Sequence, residues 1–210
     1  MTMQITVFGA SGNVGRIVVQ KLLADGHTVT VFVHQSNAFE PSDQLKIIKG
    51  DIHNAALVAS AVQGSDAIIS TLGSWHTPTK DILSAMVRFV TPVMEQSGIK
   101  RLITLTGSGA WAPGDKIGFI NKLSHAAFAL VAKDIIRDAE THLQLLAASN
   151  LEWTSLRAPI MSSGKSSKYS LNNKLPLGWE RVSREAVAQA IVDQLTDRNY
   201  VRQAPHIHQA

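Results

Sequence analysis

The sequence predicts an α/β fold: a doubly wound parallel sheet forming a single domain over residues 1–210, with a small irregular lobe near its carboxyl end. Three observations predict it. Short β-branched runs alternate with longer stretches of helical periodicity along most of the chain. A glycine triplet, Gly9-Ala10-Ser11-Gly12-Asn13-Val14-Gly15, stands between the first such run and the first helical stretch. Hydrophobic residues at 45% against charged residues at 17% suit 210 residues folded around one full core.

Ile5-Thr6-Val7-Phe8 reads as a buried strand. Val14, Ile17, Val18, Lys21 and Leu22 keep helical spacing, and Asp25-Gly26 ends that helix. Residues 28–33 and 45–49 read as the second and third strands. Asn54 caps a short helix reaching residue 62, and residues 66–70 form a fourth strand. Ile82, Met86, Phe89, Val90 and Val93 share one helical face, closed by Ser97-Gly98; Pro92 within it predicts a kink or a break. Residues 101–105 read as the fifth strand, 117–148 as one long helix or two, and 151–156 as the sixth strand. Strands joined by helices in this order form parallel pairs with right-handed crossovers. After Pro159 the rhythm changes. Residues 161–182, rich in Ser, Lys and Asn, read as a lobe or lid on the substrate side, with a short strand near 168–171. A helix follows from Ser183, with Ala186, Val187, Ala190, Ile191 and Leu195 inward, and residues 200–207 read as a last strand.

Composition excludes several function classes. The formal charge of +4 is spread thinly, without a Lys/Arg-rich run, so no nucleic-acid partner is expected. The absence of cysteine excludes disulfides and thiolate chemistry. No basic-then-apolar leader and no apolar run of ~18 residues is present, so a cytoplasmic protein without membrane contact is expected. His206 and His208 sit two apart but lack a third ligand; they read as an exposed tail, and no metal is expected.

In a doubly wound sheet the ligand lies at the carboxyl ends of the strands. The first such end carries the glycine triplet. Gly9 permits the tight turn, Gly12 lets the backbone approach a pyrophosphate, and Gly15 lets helix and strand pack closely. Ala10, Val14 and the hydrogen-bonding Ser11 and Asn13 complete this loop. A dinucleotide site for NAD places an acid about 20 residues further on. Here that place holds His34-Gln35-Ser36-Asn37, without a carboxylate. Its absence removes repulsion against a 2′-phosphate, and His34 and Arg16 can supply donors, so NADP is expected, with NAD the alternative. His34 also reads as a plain solvated loop residue.

Asp51, in Gly50-Asp51-Ile52, suits an acceptor for the adenine amino group or a helix-cap segment. Thr71, Leu72, Gly73 and Ser74 form a small segment able to pass the adenosine and diphosphate. At the fifth strand's end Ser108, with Thr106 as the alternative, can face nicotinamide or substrate. Pro159 and Ile160 can line the nicotinamide, with Arg157 held in a structural salt bridge. Trp75 and Trp111 read as walls of an aromatic pocket or as loop packing, and His125 as a core or surface residue near the site.

The chain resembles the atypical branch of the short-chain dehydrogenase/reductase superfamily. Within it, the nearest groups are the NADH-flavin reductases, the NmrA-like proteins and the flavin/biliverdin reductase B type. The residues that carry the likeness are the glycine loop, Gly50-Asp51, Gly73, Thr106-Gly107-Ser108, Leu151-Glu152-Trp153-Thr154-Ser155-Leu156-Arg157-Ala158-Pro159 and Val182-Ser183-Arg184-Glu185-Ala186-Val187-Ala188. The resemblance implies a Rossmann-like fold binding NAD(P). It leaves two activities open, because the branch contains both reductases and cofactor-sensing regulators.

One departure matters. The superfamily's Tyr-x-x-x-Lys relay is missing, since Ala129 stands four residues before Lys133. Lys133 either reaches the nicotinamide ribose or decorates a helix surface. Hydride delivery to a flavin, quinone or similar conjugated acceptor, which needs little proton help, is therefore expected, with Ser108 and Lys133 as candidate catalytic residues. The other readings are a silent NADP-sensing regulator and, lower, a nucleotide-sugar epimerase or dehydratase. The partner expected is an aromatic or conjugated small molecule, on a monomer or homodimer.

Overall fold

The computed structural model describes residues 2–35, 38–74, 79–115, 118–176 and 179–210, with only the backbone of 119–131. Its elements follow in the order β1 (Gln4–Phe8), α1 (Asn13–Ala24), β2 (Thr28–Val33), β3 (Leu45–Lys49), α2 (Ala55–Val62), β4 (Ala67–Ser70), α3 (Ile82–Gln96), β5 (Arg101–Gly107), α4 (Phe119–Ala148), β6 (Glu152–Ala158), β7 (Ile160–Ser162), β8 (Tyr169–Asn172), β9 (Arg181–Ser183), α5 (Arg184–Asp193) and β10 (His206–Gln209).

Eight strands form one sheet in the order β3-β2-β1-β4-β5-β6-β10-β8, and β7 pairs with β9 in a small second sheet. Pairing is parallel from β3 through β10, with Thr6 opposite both Thr30 and Ile68. The last strand, β8, runs antiparallel to β10, so the sheet is mixed at one edge rather than wholly parallel. The chain moves outward from β1 to β3 and then returns to the other side at β4. The strand order therefore reverses between β1 and β4, and a crevice opens there at the carboxyl ends.

Alternation along the strands sends side chains to two helical layers. Val7, Ile69, Ile103 and Leu156 pack with Val18 and Leu22 of α1 and Val187 and Ile191 of α5. Phe8, Ile68 and Leu102 pack with Met86 and Val90 of α3 and Leu143 of α4.

Several elements differ from expectation. α3 runs through Pro92 without a break. Pro92 is exposed, so water can satisfy the Arg88 carbonyl that loses its amide partner. α4 takes the second of its two expected forms, two helices joined across non-helical Ala132 (φ −125°, ψ 35°), while Ile117, the expected start, lies outside the described residues. The last strand begins at His206 rather than at residue 200. Arg202 instead takes a positive φ of 59°, its amide donating to the Trp153 carbonyl at 2.6 Å. His206 is buried at 2% exposure, and His208 is half-buried and hydrogen-bonded, so neither is an exposed tail.

The interior also holds ionisable groups. Arg101 opens β5, and its Nε and Nη2 donate to the Gln194 carbonyl at the end of α5, at 2.9 and 2.6 Å. A buried cation there complements the helix C-terminus. Burial pushes the Arg101 guanidinium down to about 10. His142 of α4 is fully buried, and burial, against the pull of Asp138, lowers it to about 4. Burial, helped by the Arg157 cation, lowers His206 to about 3.

Both imidazoles fold neutral, whereas in the unfolded chain they take up a proton below about 6.5. The unfolded state therefore binds more protons below that pH, and stability falls as pH drops from 6.5 towards 4. The urea midpoint should be lower at pH 5 than at pH 7, with a shallower loss in His142→Leu. Equal midpoints at the two pH values would contradict the buried neutral state.

Candidate functional site

The glycine loop is held by backbone packed on backbone. Gly9 has φ +76°, and the Gly12 amide donates to the Gly9 carbonyl at 3.0 Å. A Cβ on Gly9 would stand 2.6 Å from the Leu72 amide nitrogen. One on Gly15 would overlap the Gly9 carbonyl and stand 2.7 Å from the Thr71 hydroxyl. Side chains are excluded at both positions by the protein itself. Gly12 differs: an added Cβ would meet only the Gly9 carbonyl, at 3.3 Å, and the residue is exposed.

Gly12 is also the N-cap of α1, and no side chain caps that helix. Its first turn carries no acid. A helix N-terminus left uncapped beside exposed glycine backbone suits a phosphate, which the amides and the helix dipole both favour. Ala10 and Val14 turn into the core, while Ser11 is half-buried and Asn13 exposed. Arg16 folds back so that its Nε donates to the Ser11 carbonyl at 2.9 Å, bracing the loop.

A cleft of about 210 Å³ continues from this loop across the crevice. It brings together Gly9, Ser11, His34, Asp51, Ile52, Leu72 and Gly73, all expected from the strand ends. Its walls include Phe8, Phe32 and Ile82, which sequence reasoning left to the core. The Phe8 and Phe32 rings are 5.1 Å apart. Flat apolar walls beside the phosphate-sized loop suit a heteroaromatic base.

The polar rim of the cleft is a chain of polar side chains. Asp51 accepts from the His53 amide at 2.9 Å and lies 2.7 Å from its Nδ1. His34 Nε2 is 3.8 Å from the other Asp51 oxygen. The His53 amide and then its ring hold the Asp51 carboxyl below the usual carboxylate range. A carboxylate therefore does stand beside His34, supplied by β3 rather than β2. Reading the end of β2 alone missed it; the Asp-x-His spacing of Asp51 and His53 was the available signal. Ser36 and Asn37 lie outside the described residues.

Two expected hydroxyls are spent inside the protein. Thr71 donates to the Gly9 carbonyl at 3.0 Å, tying β4 to the glycine loop. Ser74 donates to Asp138 of α4 at 2.9 Å. Asp138 also accepts from the amides of Leu83 and Ser84 at 3.0 and 2.9 Å, so a carboxylate from α4 caps α3. No local spacing announces a cap from a residue more than fifty positions away.

At the carboxyl ends of β5 and β6, the Ser108 amide donates to the Ala158 carbonyl at 2.8 Å. This sets Ser108 against Ala158, the residue before Pro159, and none of Thr106, Ser108, Pro159 and Ile160 lines the base cleft. Thr106 is buried, and its hydroxyl has no hydrogen-bond partner in the protein. Arg157 is in a structural ion pair, as expected, and its partner is Asp115 in the loop after β5. Nη2 donates to Asp115 at 3.0 Å and Nε to the Ala204 carbonyl at 2.7 Å. Burial raises the Asp115 carboxyl, but the Arg157 hydrogen bonds, the Ala112 amide and the Arg157 charge together leave it below its ordinary value. Lys133 is exposed, directly after the Ala132 break. Trp111 is half-buried, its amide donating to Glu140 at 3.2 Å. Trp75 and the side chains of His125 and Ala129 lie outside the described residues.

Fold and crevice together define a dinucleotide-binding α/β protein. The comparisons with known proteins make this specific. A family model described as NAD(P)H-binding matches residues 9–198, and the chain belongs to that family. Among curated relatives, an isoflavone reductase homolog of Zea mays is 29% identical over 108 residues, 47% of this chain and 33% of that protein. The match therefore spans about a third of that relative's length. A Saccharomyces cerevisiae protein, YMR090W, is 24% identical over 94% of this chain and 88% of its own.

Solved structures share the fold. A candidate NADH-flavin reductase of Streptococcus pneumoniae superposes with a TM-score of 0.81 at 22% identity, covering 99% of this chain and 100% of that one. ChuY of Escherichia coli O157:H7, an anaerobillin reductase, gives 0.78 at 23%, covering 98% and 97%. A short-chain dehydrogenase/reductase of Veillonella parvula, crystallised with NADP, gives 0.77 at 20%, covering 100% and 95%. No described helix is long and apolar enough to cross a membrane.

The two inner glycines separate folding from binding. Gly15→Ala should lower stability by about 1–3 kcal/mol, because a methyl is forced into packed backbone. Gly12→Val should melt within a few degrees of the parent yet lose more than about tenfold in NADPH affinity, since its side chain occupies the phosphate approach. Calorimetric titration beside thermal melts checks both; a Gly12→Val protein that binds normally would place the phosphate elsewhere.

Proposed function

We propose that the protein is an NADPH-dependent reductase acting on a conjugated small molecule such as a flavin or quinone. The observation that carries this reading is where its two tyrosines are spent. The Tyr169 hydroxyl lies 2.6 Å from Asp193, and Tyr200 donates to the Leu171 carbonyl at 2.6 Å. Burial and then Asp193 hold the Tyr169 phenol well above its ordinary range. Both tyrosine hydroxyls are thus engaged within the protein rather than held for a proton relay, which supports an acceptor that takes its proton from water.

When bound, the reduced nicotinamide supplies the hydride. The chain's part is binding and orientation. The Gly9–Gly15 loop and the α1 N-terminus hold the diphosphate, and Phe32, Ile52, Leu72 and Ile82 flank the adenine. Asp51 and His34 border the adenosine ribose. His34 offers a ring nitrogen as a hydrogen-bond donor to a 2′-phosphate, which favours NADP over NAD. Arg16 adds positive charge to the same side. Thr106, Ser108, Pro159 and Ile160 border the nicotinamide. Ser108 is suited to hydrogen-bond the acceptor, and Lys133 to reach the nicotinamide ribose.

Calorimetry with NADP⁺ and NAD⁺, followed by NADPH oxidation with FMN, FAD and simple quinones, tests the reading. Tighter NADP⁺ binding and turnover on at least one acceptor are expected. Equal or tighter NAD⁺ binding would overturn the cofactor preference. Tight NADP⁺ binding without turnover on any acceptor would favour a cofactor-sensing regulator, which the same spent tyrosines suit.

A further inference from the structure

Among the described residues, the large apolar side chains left exposed are Ile160 at 55%, Leu175 at 40% and Trp179 at 77%. All three belong to the segment joining β6 to β9. A tryptophan presenting most of its surface to water is a binding feature more than a packing one.

The register brings the three together. His206 pairs in parallel with Arg157, so His208, two residues on, reaches the exit of β6 at Pro159. The His208 ring binds two feet that flank the apolar residues: Nδ1 meets Glu180 at 2.9 Å and Nε2 meets the Lys174 carbonyl at 3.1 Å. Leu175 follows one foot and Trp179 precedes the other. The parallel β7–β9 ladder begins with Ile160 opposite Arg181. Trp179, two residues before Arg181, therefore lies beyond that end, on the side of Pro159. Charge adds a further constraint. Lys165, Lys168, Lys174 and Arg181 of this segment are exposed, and its one acid, Glu180, is held on His208.

We propose that the apolar patch of Ile160, Leu175 and Trp179, centred on Trp179, is the platform on which an anionic, planar conjugated acceptor stacks. The proposal rests on the reductase reading and deepens it. Trp179 offers its ring face to the acceptor, Ile160 and Leu175 close the edges, and the lysines attract a phosphate or carboxylate arm. Pro159, proposed above to border the nicotinamide, immediately precedes Ile160 and so links the platform to the hydride end of the cofactor site.

The test is FMN titration of the NADP⁺-saturated protein, read by tryptophan fluorescence, with riboflavin as the same ring without the phosphate. FMN should quench the signal, and Trp179→Ala should raise the FMN dissociation constant about tenfold or more with NADP⁺ affinity unchanged. Trp179→Phe should recover much of the loss. Riboflavin should bind several-fold more weakly than FMN, and Lys168→Glu/Lys174→Glu should abolish that difference. Unchanged FMN binding by Trp179→Ala would overturn the proposal. So would a Trp179→Ala protein altered only in oligomeric state, which would make the patch an interface between copies. Equal binding of FMN and riboflavin would overturn the anionic requirement. FMN quenching without NADPH oxidation would sink the reductase reading alone; NADPH oxidation with quinones but no FMN binding would sink the platform alone.

Discussion

At the crevice, main chain packs directly on main chain. The turn after β1, the first turn of α1 and the exit of β4 meet where Gly9, Gly15 and Thr71 leave no volume for a further methyl group. Everything at the crevice depends on that approach. It sets the distance of α1 from the sheet, aims the uncapped helix end across the carboxyl edge, and fixes where Leu72 and Gly73 line the base cleft. Thr71 secures the junction by donating to the Gly9 carbonyl. Such contact is possible only without side chains, which is why the glycines are spaced as they are.

Around this junction the loops are pinned by buried charge. Asp138 reaches from α4 to cap α3 and hold Ser74, so the segment after β4 is fixed at both ends. Arg157 does the same for the segment after β5 through Asp115 and the Ala110 carbonyl. A charge in the interior is costly unless its hydrogen-bonding capacity is met, and both groups are met by several partners. The site is thus framed by glycine backbone on one side and by ionic hydrogen bonds on the other.

Short apolar, β-branched runs made the six strands from β1 to β6 readable, because a sheet covered by helices on both faces favours such residues. The glycine loop was readable because its spacing has a steric cause. Elements of three residues, β7 and β9, carry too few positions for any period, and the last strand was drawn too early because Tyr200 and Val201 imitate strand composition while forming a turn. In the candidate site, residues at strand ends such as Ser11, His34 and Asp51 could be read from their place. The ring walls Phe8, Phe32 and Ile82 could not, since an apolar residue that lines a cleft looks the same as one that fills a core. Partners far apart in the chain, Ser74 with Asp138 and Arg157 with Asp115, leave no local trace.

Arg157 carries a consequence for how the molecule is made. Its Nε rests on the Ala204 carbonyl, and the free edge of β6 is covered by β10, which is also the strand that carries β8. During synthesis the earlier strands can assemble as they emerge, but β6 stays an open edge with a half-solvated guanidinium until residues 204–209 have left the ribosome. The outer edge of β6 and the β8–β10 pair beyond it are therefore the last part of the sheet to be completed, after α5 has closed over the layer that holds α1.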